Sequence, residues 1–418
     1  MQAAANHSRA ERSREAKPSY YGWRVVLAAN LGIMVGFSLY AYTFSVFVKP
    51  LSAEFGWNRE TIARGFALSA LAAAIFSPMV GRWLDRHGPR RLLLACIALF
   101  GGAFMALSLS HAAVWQFYAT CFAIGAVGNV MQMGYAHTIS TWFTEYRGMA
   151  LGLVLAGEGV GLMIFPALAQ ALIAQSGWKV AYSVLGMLIL VVGLPPAFLY
   201  ARTPTTNRTN SRASDPLGCT WQQGLRSPSF WIIVAVLFLD SISINGAMTH
   251  QVPLLTDRGV PAASAAWTVS ILGCASLTGR LSAGWLLDRF PGSWVTCVLL
   301  TLAAGGILLL ARLTSFPFGC VAAVLIGLGA GGTSSTTPYL LTRYFGLRSF
   351  STLYGLTWTF YAIAGGAGPV LLGRVFDRTG SYASTLTVLG FATALGAALM
   401  LLLPRYPVLR PAGADEYT

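Results

Sequence analysis

Apolar stretches of about 20 residues alternate with short polar connections along nearly the whole chain. An α-helix rises about 1.5 Å per residue, so a stretch of this length crosses the roughly 30 Å hydrocarbon layer of a bilayer. The pattern predicts an all-α, polytopic membrane protein with twelve membrane-spanning helices. The expected spans are 22–48, 60–82, 92–110, 113–141, 147–175, 179–201, 229–256, 262–287, 294–312, 315–343, 348–374 and 381–404.

One polar connection is much longer than the others and divides the spans into two sets of six. It is rich in Thr, Ser and Pro, a composition typical of linkers. We therefore expect five parts, which are an N-terminal tail (1–21), a first six-helix bundle (22–201), a linker (202–228), a second six-helix bundle (229–404) and a C-terminal tail (405–418).

Short motifs recur in the two halves at an offset of about 203 residues. The segment GRWLDR, which ends in Asp85 and Arg86, matches GWLLDR, which ends in Asp288 and Arg289. The repeat predicts two pseudo-symmetric bundles. A duplicated six-helix unit is typical of transporters, because rocking one half against the other opens a midplane site to each side in turn.

The composition excludes a soluble globular enzyme. Hydrophobic residues make up 55% of the chain, charged residues only 10%, and the mean hydropathy is +0.62, whereas soluble domains carry roughly 25% charged residues. The formal net charge of +14 comes mainly from arginines at helix ends and in loops, with no basic stripe and no nucleic-acid motif. The six cysteines are scattered and form no pairs with metal or disulfide spacing.

The distribution of charge predicts the orientation in the membrane. The first 21 residues are polar, and the first apolar run is too long for the core of a signal peptide, so we expect the N-terminus to stay in the cytoplasm. With that orientation most of the Lys and Arg residues fall on the cytoplasmic side, as the positive-inside rule requires. We therefore expect a multi-pass protein of the cell inner (plasma) membrane with both termini cytoplasmic.

The segment GRWLDRHGPRR at 81–91 lies between the second and third spans. It resembles the cytoplasmic loop signature of the major facilitator superfamily, Gly-x-x-x-Asp-Arg-x-Gly-x-Arg-Arg, and the resemblance extends over the whole membrane region. It implies the major facilitator fold and a conformational gate that is held closed when an Asp accepts hydrogen bonds from the start of a helix in the other half. The candidate gate residues are Gly81, Asp85, Arg86, Gly88, Arg90, Arg91, Arg147, Asp288 and Arg289.

Within that superfamily, further motifs resemble the monocarboxylate transporters and the related oxalate/formate exchangers. They are YYGWRVV, HQVPLLTDRG, GRLSAGWLLDR, RYFGLRSFSTLYG and DRTGSY. The resemblance implies a secondary transporter of small monocarboxylate anions, without a cofactor, that works as a monomer in the lipid bilayer and takes a proton as its partner ion.

When the other cations are assigned to the two sides of the membrane, one cation, Arg280, is left over; it lies deep inside a predicted span, eight residues before Asp288 at the span's end. That separation is about 12 Å of helix, which places the guanidinium within the bilayer. A charge there costs about 2.5–3.5 kcal/mol on insertion scales, so it is expected to face protein or a wet cavity. A guanidinium binds a carboxylate through two hydrogen bonds, and the resemblance implies that role for Arg280. A structural pair with Asp240 is the alternative.

Three positions depart from the pattern of the resembled family. Its members often carry an acid one turn before the arginine, where this chain has Ser276, and lysines where this chain has Tyr42 and Tyr361. With Arg280 as the one deep cation, a substrate with one carboxylate is better matched than a dianion. Tyr42, Tyr361 and Ser276 are candidate substrate contacts, although the two tyrosines fit a packing role equally well.

Acids and histidines inside the predicted spans form a short list for proton coupling: Glu158, Asp240 and His250. Asp240 and His250 share one broad face of the seventh span, and His250 also matches a His-x-x-Pro pattern of the resembled family, which makes it a candidate substrate contact. If Asp240 pairs with Arg280, protonation of Asp240 would free Arg280 for the anion. Glu158 lies among glycines, so a packing seam is an equal interpretation, and His137 is interpreted as structural.

Proton-coupled symport of a monocarboxylate is the leading hypothesis. Anion exchange of the oxalate/formate type is the first alternative, because it needs no titrating acid. A transporter-like ligand sensor is another. A membrane-embedded enzyme is disfavoured, since the sequence shows no metal-ligand cluster, nucleophile motif or phosphate-binding loop, and we expect neither catalytic residues nor a metal site.

Overall fold

A computed structural model of the protein describes residues 13–111, 113–202, 218–312 and 315–406. Residues 1–12 of the predicted N-terminal tail, 203–217 of the predicted linker and 407–418 of the predicted C-terminal tail lie outside these ranges. Helices make up nearly all of the described residues, and the β-structure found in them is a single antiparallel bridge between Gly218 and Gly346. The prediction of an all-α membrane protein is confirmed.

The chain divides into two compact units. The first unit extends to Asp215 and also takes in Ser349–Leu356, and the second comprises Pro216–Arg348 and Thr357–Thr418. Spans 1 to 6 occupy the first unit, as Tyr21–Met34 with Phe37–Phe55 (span 1), Arg59–His87 (span 2), Pro89–Ala106 (span 3), Val114–Gly128 with Val130–Trp142 (span 4) and Arg147–Tyr200 (spans 5 and 6).

The second unit begins with a short helix, Trp221–Arg226, that precedes the remaining spans. These are Pro228–Asp257 (span 7), Ala262–Leu287 (span 8), Gly292–Arg312 (span 9), Phe316–Phe345 (span 10), Phe350–Thr379 (span 11) and Ala383–Met400 (span 12). The first two turns of span 11 fall within Ser349–Leu356 and so belong to the first unit, whereas the helix from Thr357 onward belongs to the second.

The segment Arg147–Tyr200 contains two spans because its backbone turns at Gly177. A straight helix of 54 residues would be about 81 Å long, more than twice the hydrocarbon thickness. Gly177 has φ 82°, ψ 166°, which is not helical and which glycine adopts without steric cost. Ten helical segments of the described ranges are long and apolar enough to cross a membrane. Dividing one of them at Gly177 and adding Ala262–Leu287 gives the twelve predicted spans.

Two spans are interrupted where the sequence analysis expected continuous helices. Span 1 breaks between Met34 and Phe37, at Val35 and Gly36, and Ser38 Oγ donates a hydrogen bond to the Ile33 carbonyl at 3.1 Å across the break. The helix then continues to Phe55, seven residues beyond the expected end at 48. Span 4 is interrupted at Asn129. Such breaks leave backbone groups that polar side chains can satisfy inside a membrane.

Large apolar side chains are exposed on the outer faces of both units. Leu71 and Ile75 in span 2, Val298 in span 9 and Phe391 in span 12 are each more than half exposed. A soluble protein rarely exposes so many large apolar side chains, and a lipid environment accounts for their exposure.

Part of the N-terminal tail is bound to the first unit. Glu15 is buried, and its carboxylate accepts hydrogen bonds from the backbone N–H groups of Thr144, Glu145 and Tyr146 at 2.8, 3.1 and 2.9 Å. These N–H groups lie just before span 5 begins at Arg147, where the helix dipole favours an anion. Glu15 therefore anchors the tail to the start of span 5.

Candidate functional site

Arg280 lies inside span 8 and is buried, with 7% of its surface exposed. Its Nε donates a hydrogen bond to Ser334 Oγ on span 10 at 3.3 Å. The guanidinium of an arginine carries five N–H donors in a planar fork, so this bond uses one of them. The arrangement presents a fixed cation beside a hydroxyl group within the second unit.

Close contact between spans 8 and 10 brings these side chains together. A Cβ atom at Gly331 would collide with the carbonyl of Ser276, and one at Gly279 would collide with the carbonyl of Leu328. Glycines at such positions let two helix backbones approach within van der Waals distance. Ser276 is buried in this seam, one turn before Arg280.

Asp240 lies about 18 Å along span 7 from its start at Pro228 and is buried, with 4% of its surface exposed. Its Oδ2 accepts a hydrogen bond from Thr333 Oγ1 at 3.1 Å, and its Oδ1 has no hydrogen-bond partner among the described residues. The carboxylate is thus bound to span 10, next to the residue that bonds Arg280. Asp240 and Arg280 thus bond two consecutive residues of span 10, Thr333 and Ser334 respectively.

The sequence analysis missed the polar segment of span 10 that makes this link. Five consecutive hydroxyl residues, Thr333 to Thr337, interrupt an otherwise apolar helix, and all of them except Ser334 are buried. A run of hydroxyl residues of this length in the middle of a span can be recognised from the sequence alone. It indicates a polar interior at this depth.

His250 and Tyr361 lie elsewhere in the second unit. His250 is ten residues after Asp240 on span 7, and its Nε2 is 3.0 Å from the Pro369 carbonyl on span 11. A carbonyl only accepts hydrogen bonds, so this ring nitrogen carries the proton. The backbone carbonyl of Tyr361 accepts from Ser241 Oγ at 2.7 Å. Both residues are half-buried.

In the first unit, Tyr42 and Glu158 form a hydrogen bond. Tyr42 Oη donates to Glu158 Oε1 at 3.3 Å, between spans 1 and 5, and both side chains are half-buried. A Cβ atom at Gly157 would collide with the carbonyl of Asn30, so the two spans are also in close backbone contact. The glycines beside Glu158 therefore do form a packing seam, and the glutamate lies at its edge with a tyrosine partner.

Asp85, at the end of span 2, caps the start of span 11. Its Oδ1 accepts from the Ser351 N–H at 2.9 Å, and its Oδ2 accepts from the N–H and the hydroxyl of Thr352 at 2.8 and 2.6 Å. A Cβ atom at Gly81 would collide with the Ser351 carbonyl, so this approach requires glycine. His137 Nδ1 lies 2.9 Å from Ser351 Oγ and 3.8 Å from Asp85 Oδ1. The carboxylate thus holds a helix N-terminus by charge-assisted hydrogen bonds.

The other residues of the predicted gate make separate contacts. Arg90 donates to the Phe198 carbonyl at 2.9 Å, and Arg147 donates to the Phe143 carbonyl at 2.9 Å. The guanidinium carbon Cζ of Arg289 lies over the Trp285 ring, 3.6 Å from its centroid. Arg86 and Arg91 are exposed, Gly88 (φ 77°) separates spans 2 and 3, and Asp288 caps the end of span 8.

Comparisons with known proteins agree with this architecture. The sequence model of the Major Facilitator Superfamily matches residues 26–369. Monocarboxylate transporter 13 of Bos taurus is 27% identical over 402 residues, which cover 92% of this chain and 90% of that protein. The uncharacterized MFS-type transporter YhjX of Escherichia coli is 26% identical over 331 residues, covering 77% and 81%. The solved E. coli fucose:proton symporter FucP has a TM-score of 0.71 at 14% identity, covering 91% of this chain and 98% of that chain, which shows a shared fold.

Proposed function

Because this chain belongs to the major facilitator superfamily and is therefore a membrane transporter and not an enzyme, we propose that it carries small monocarboxylate anions by alternating access, in symport with a proton. We further propose that it acts as a monomer in the cell inner (plasma) membrane with both termini in the cytoplasm. The charge distribution of the loops supports this orientation.

The buried guanidinium of Arg280 is the observation that carries the proposal. A cation inside a membrane span requires an anionic or strongly polar partner, and a carboxylate fits the guanidinium fork. A single carboxylate is favoured over a dianion because no lysine lies deep in either unit. The relative named monocarboxylate transporter 13 supports the same substrate class.

Uptake into proteoliposomes tests the substrate class. Purified protein is reconstituted and offered radiolabelled lactate, pyruvate, formate, an aromatic monocarboxylate and oxalate, with empty liposomes as the control. We expect uptake of at least one monocarboxylate to exceed that of oxalate by about tenfold or more, because a second buried charge without a partner is costly. Uptake that requires an internal anion would identify an exchanger, and binding without uptake would identify a sensor.

Proton coupling is assigned to Asp240 rather than to Glu158 or His250. Asp240 is the most deeply buried of the three, and its Oδ1 has no hydrogen-bond partner within the part of the chain that the structure describes. Glu158 accepts a hydrogen bond from Tyr42, and His250 is within hydrogen-bond distance of the Pro369 carbonyl. We expect an inward proton gradient to raise monocarboxylate uptake by wild type and by E158Q, and to leave uptake by D240N unchanged. A D240N variant whose uptake still rises with the gradient would refute the assignment.

A further inference from the structure

Ser334 on span 10 makes two hydrogen bonds that orient its hydroxyl group. Its Oγ donates to the Gly331 carbonyl of the same helix at 2.7 Å and accepts the Nε–H of Arg280 at 3.3 Å. A hydroxyl group has one hydrogen and two lone pairs, so the bond to Gly331 uses the hydrogen and turns a lone pair toward Arg280. The helix backbone therefore prepares Ser334 as an acceptor for the guanidinium.

The packing of spans 8 and 10 sets the level of Ser334 relative to Arg280. A Cβ atom at Gly331 would collide with the Ser276 carbonyl, so the two helix backbones touch there. Ser334 lies three residues after Gly331, and Arg280 lies four residues after Ser276, so both side chains are about one turn beyond this contact. Close-packed backbones have little room to slide past each other, which keeps the acceptor beside the Nε–H.

The bond to Ser334 determines which edge of the guanidinium suits a carboxylate. A planar guanidinium has two edges on which a pair of parallel N–H bonds can meet both oxygens of a carboxylate. One edge is formed by Nε and an Nη group, and the other is formed by the two Nη groups. Because Ser334 accepts the Nε–H of Arg280, two-bond binding on the first edge would require that bond to break. Binding across the two Nη groups leaves it intact.

We propose that Ser334 is a positioning residue for the substrate, which holds Arg280 by its Nε–H so that the carboxylate binds across the two Nη groups. The inference rests on the proposed transport of monocarboxylates and on Arg280 as their anchor. An arginine side chain loses rotamer freedom when it binds a ligand, and a bond that already restrains it reduces this cost. Ser334 therefore affects substrate affinity and leaves the maximal rate unchanged.

Substrate affinity and transport rate of Ser334 variants test this role. Lactate, pyruvate, formate and benzoate are offered, and the acid that wild type takes up fastest is used to measure Kd, by thermal stabilisation of the purified protein in detergent, and KM, by uptake into proteoliposomes. We expect S334A to raise both constants about tenfold and to keep the maximal rate within about twofold. A hydrogen bond from a charged group contributes about tenfold or more, and 3.3 Å is long for such a bond, which favours the lower value.

Matched variants separate the hydroxyl group from the shape of the side chain. S334T keeps the hydroxyl and S334V has nearly the same shape without it, so we expect wild-type affinity within about threefold for S334T and a loss of about tenfold for S334V. S282A removes a half-buried serine hydroxyl of span 8 that also bonds a carbonyl three residues earlier, that of Gly279 at 3.1 Å. It should bind and transport as wild type. Equal affinities of S334T and S334V would overturn the proposal.

A double-mutant cycle shows whether Ser334 acts through Arg280. Lysine has a methylene group where arginine has Nε, so R280K removes the partner of Ser334 but keeps a positive charge. We expect S334A to change the Kd by less than about twofold in the R280K background. A tenfold loss in both backgrounds, or a wild-type Kd in S334A, would refute the positioning role. A wild-type protein that neither binds nor takes up any of the four acids would refute the proposed function itself, so the two failures are distinguishable.

Discussion

Replacing Arg280 by alanine is expected to lower the affinity for a monocarboxylate by roughly 30-fold to several thousand-fold. Truncating one partner of a buried, hydrogen-bonded charge pair costs about 2–5 kcal/mol, much of it because the remaining charge is left unpaired. The guanidinium is buried beside Ser334, so bulk water does not replace it as a partner of the substrate. The concentration dependence of uptake in proteoliposomes measures the loss.

Two further variants show whether the loss is specific to this guanidinium. R280K keeps the charge but lacks the planar fork that bonds both oxygens of a carboxylate, so we expect it to retain a part of the affinity, weakened about tenfold. R312A removes an exposed arginine at the end of span 9 and should behave as wild type. An R280A protein with normal expression and an unchanged KM for the monocarboxylate would contradict the anchor role.

The spans were predictable because the hydrocarbon layer of a bilayer permits few backbone structures. Every backbone N–H and C=O in the hydrocarbon must be bonded within the protein, which makes a long apolar run a helix. The turn at Gly177 was equally predictable from the sequence. A polar, glycine-containing connection separates two apolar runs there, which together are too long for a single membrane-spanning helix. The helix breaks at Gly36 and Asn129 could not be predicted from the sequence, because the apolar pattern continues through both positions.

The partner of Asp240 could not be derived from the sequence. The sequence analysis considered a pair with Arg280, whereas the carboxylate bonds Thr333, and Arg280 bonds the adjacent Ser334. Which side chain meets which depends on how three helices are rotated about their axes. A helix that is apolar on all sides gives no sign of its rotation. The hydroxyl run Thr333–Thr337 was the available signal, and it points to span 10 as the element between them.

Two polar segments that the sequence analysis treated as a linker and a tail contain ordered structure. The predicted linker contains the helix Trp221–Arg226, which begins with a capping box formed by Thr220 and Gln223. That signal is present in the sequence as Thr-x-x-Gln. The docking of Glu15 on the start of span 5 has no comparable signal, because a single acid in a polar tail matches no spacing rule.

Replacing Asp85 by asparagine is expected to lower the maximal rate of uptake by about tenfold or more while leaving the KM nearly unchanged. The carboxylate accepts three hydrogen bonds from Ser351 and Thr352 at the N-terminus of span 11, where a negative charge is stabilised by the helix dipole. We propose that these bonds stabilise one conformer of the transport cycle. Charge-assisted hydrogen bonds contribute about 1.5–3 kcal/mol, so their loss shifts a two-state population by roughly tenfold to a hundredfold.

The hydrogen bonds of Asp85 also predict a local structural effect of the D85N substitution at the start of span 11. Amide hydrogen exchange of Ser351 and Thr352 should accelerate in D85N, since both N–H groups lose a charged acceptor. D377N changes an exposed aspartate at the far end of the same helix and should leave both the rate and the exchange of these amides as in wild type. An altered exchange with an unchanged transport rate would make Asp85 a structural cap of span 11 and remove it from the gate.

A substrate-binding role for Asp85 makes the opposite kinetic prediction. If the carboxylate acted on the substrate, D85N would change the KM or the preference among monocarboxylates, whereas a residue that acts only on the conformer population changes the maximal rate. The start of span 11 is held in the first unit by Asp85, and from Thr357 the same helix belongs to the second unit. Because the chain passes from the first unit to the second within span 11, loosening the first turn of this helix is expected to alter how fast the conformers interconvert, which is the property that the maximal rate reports.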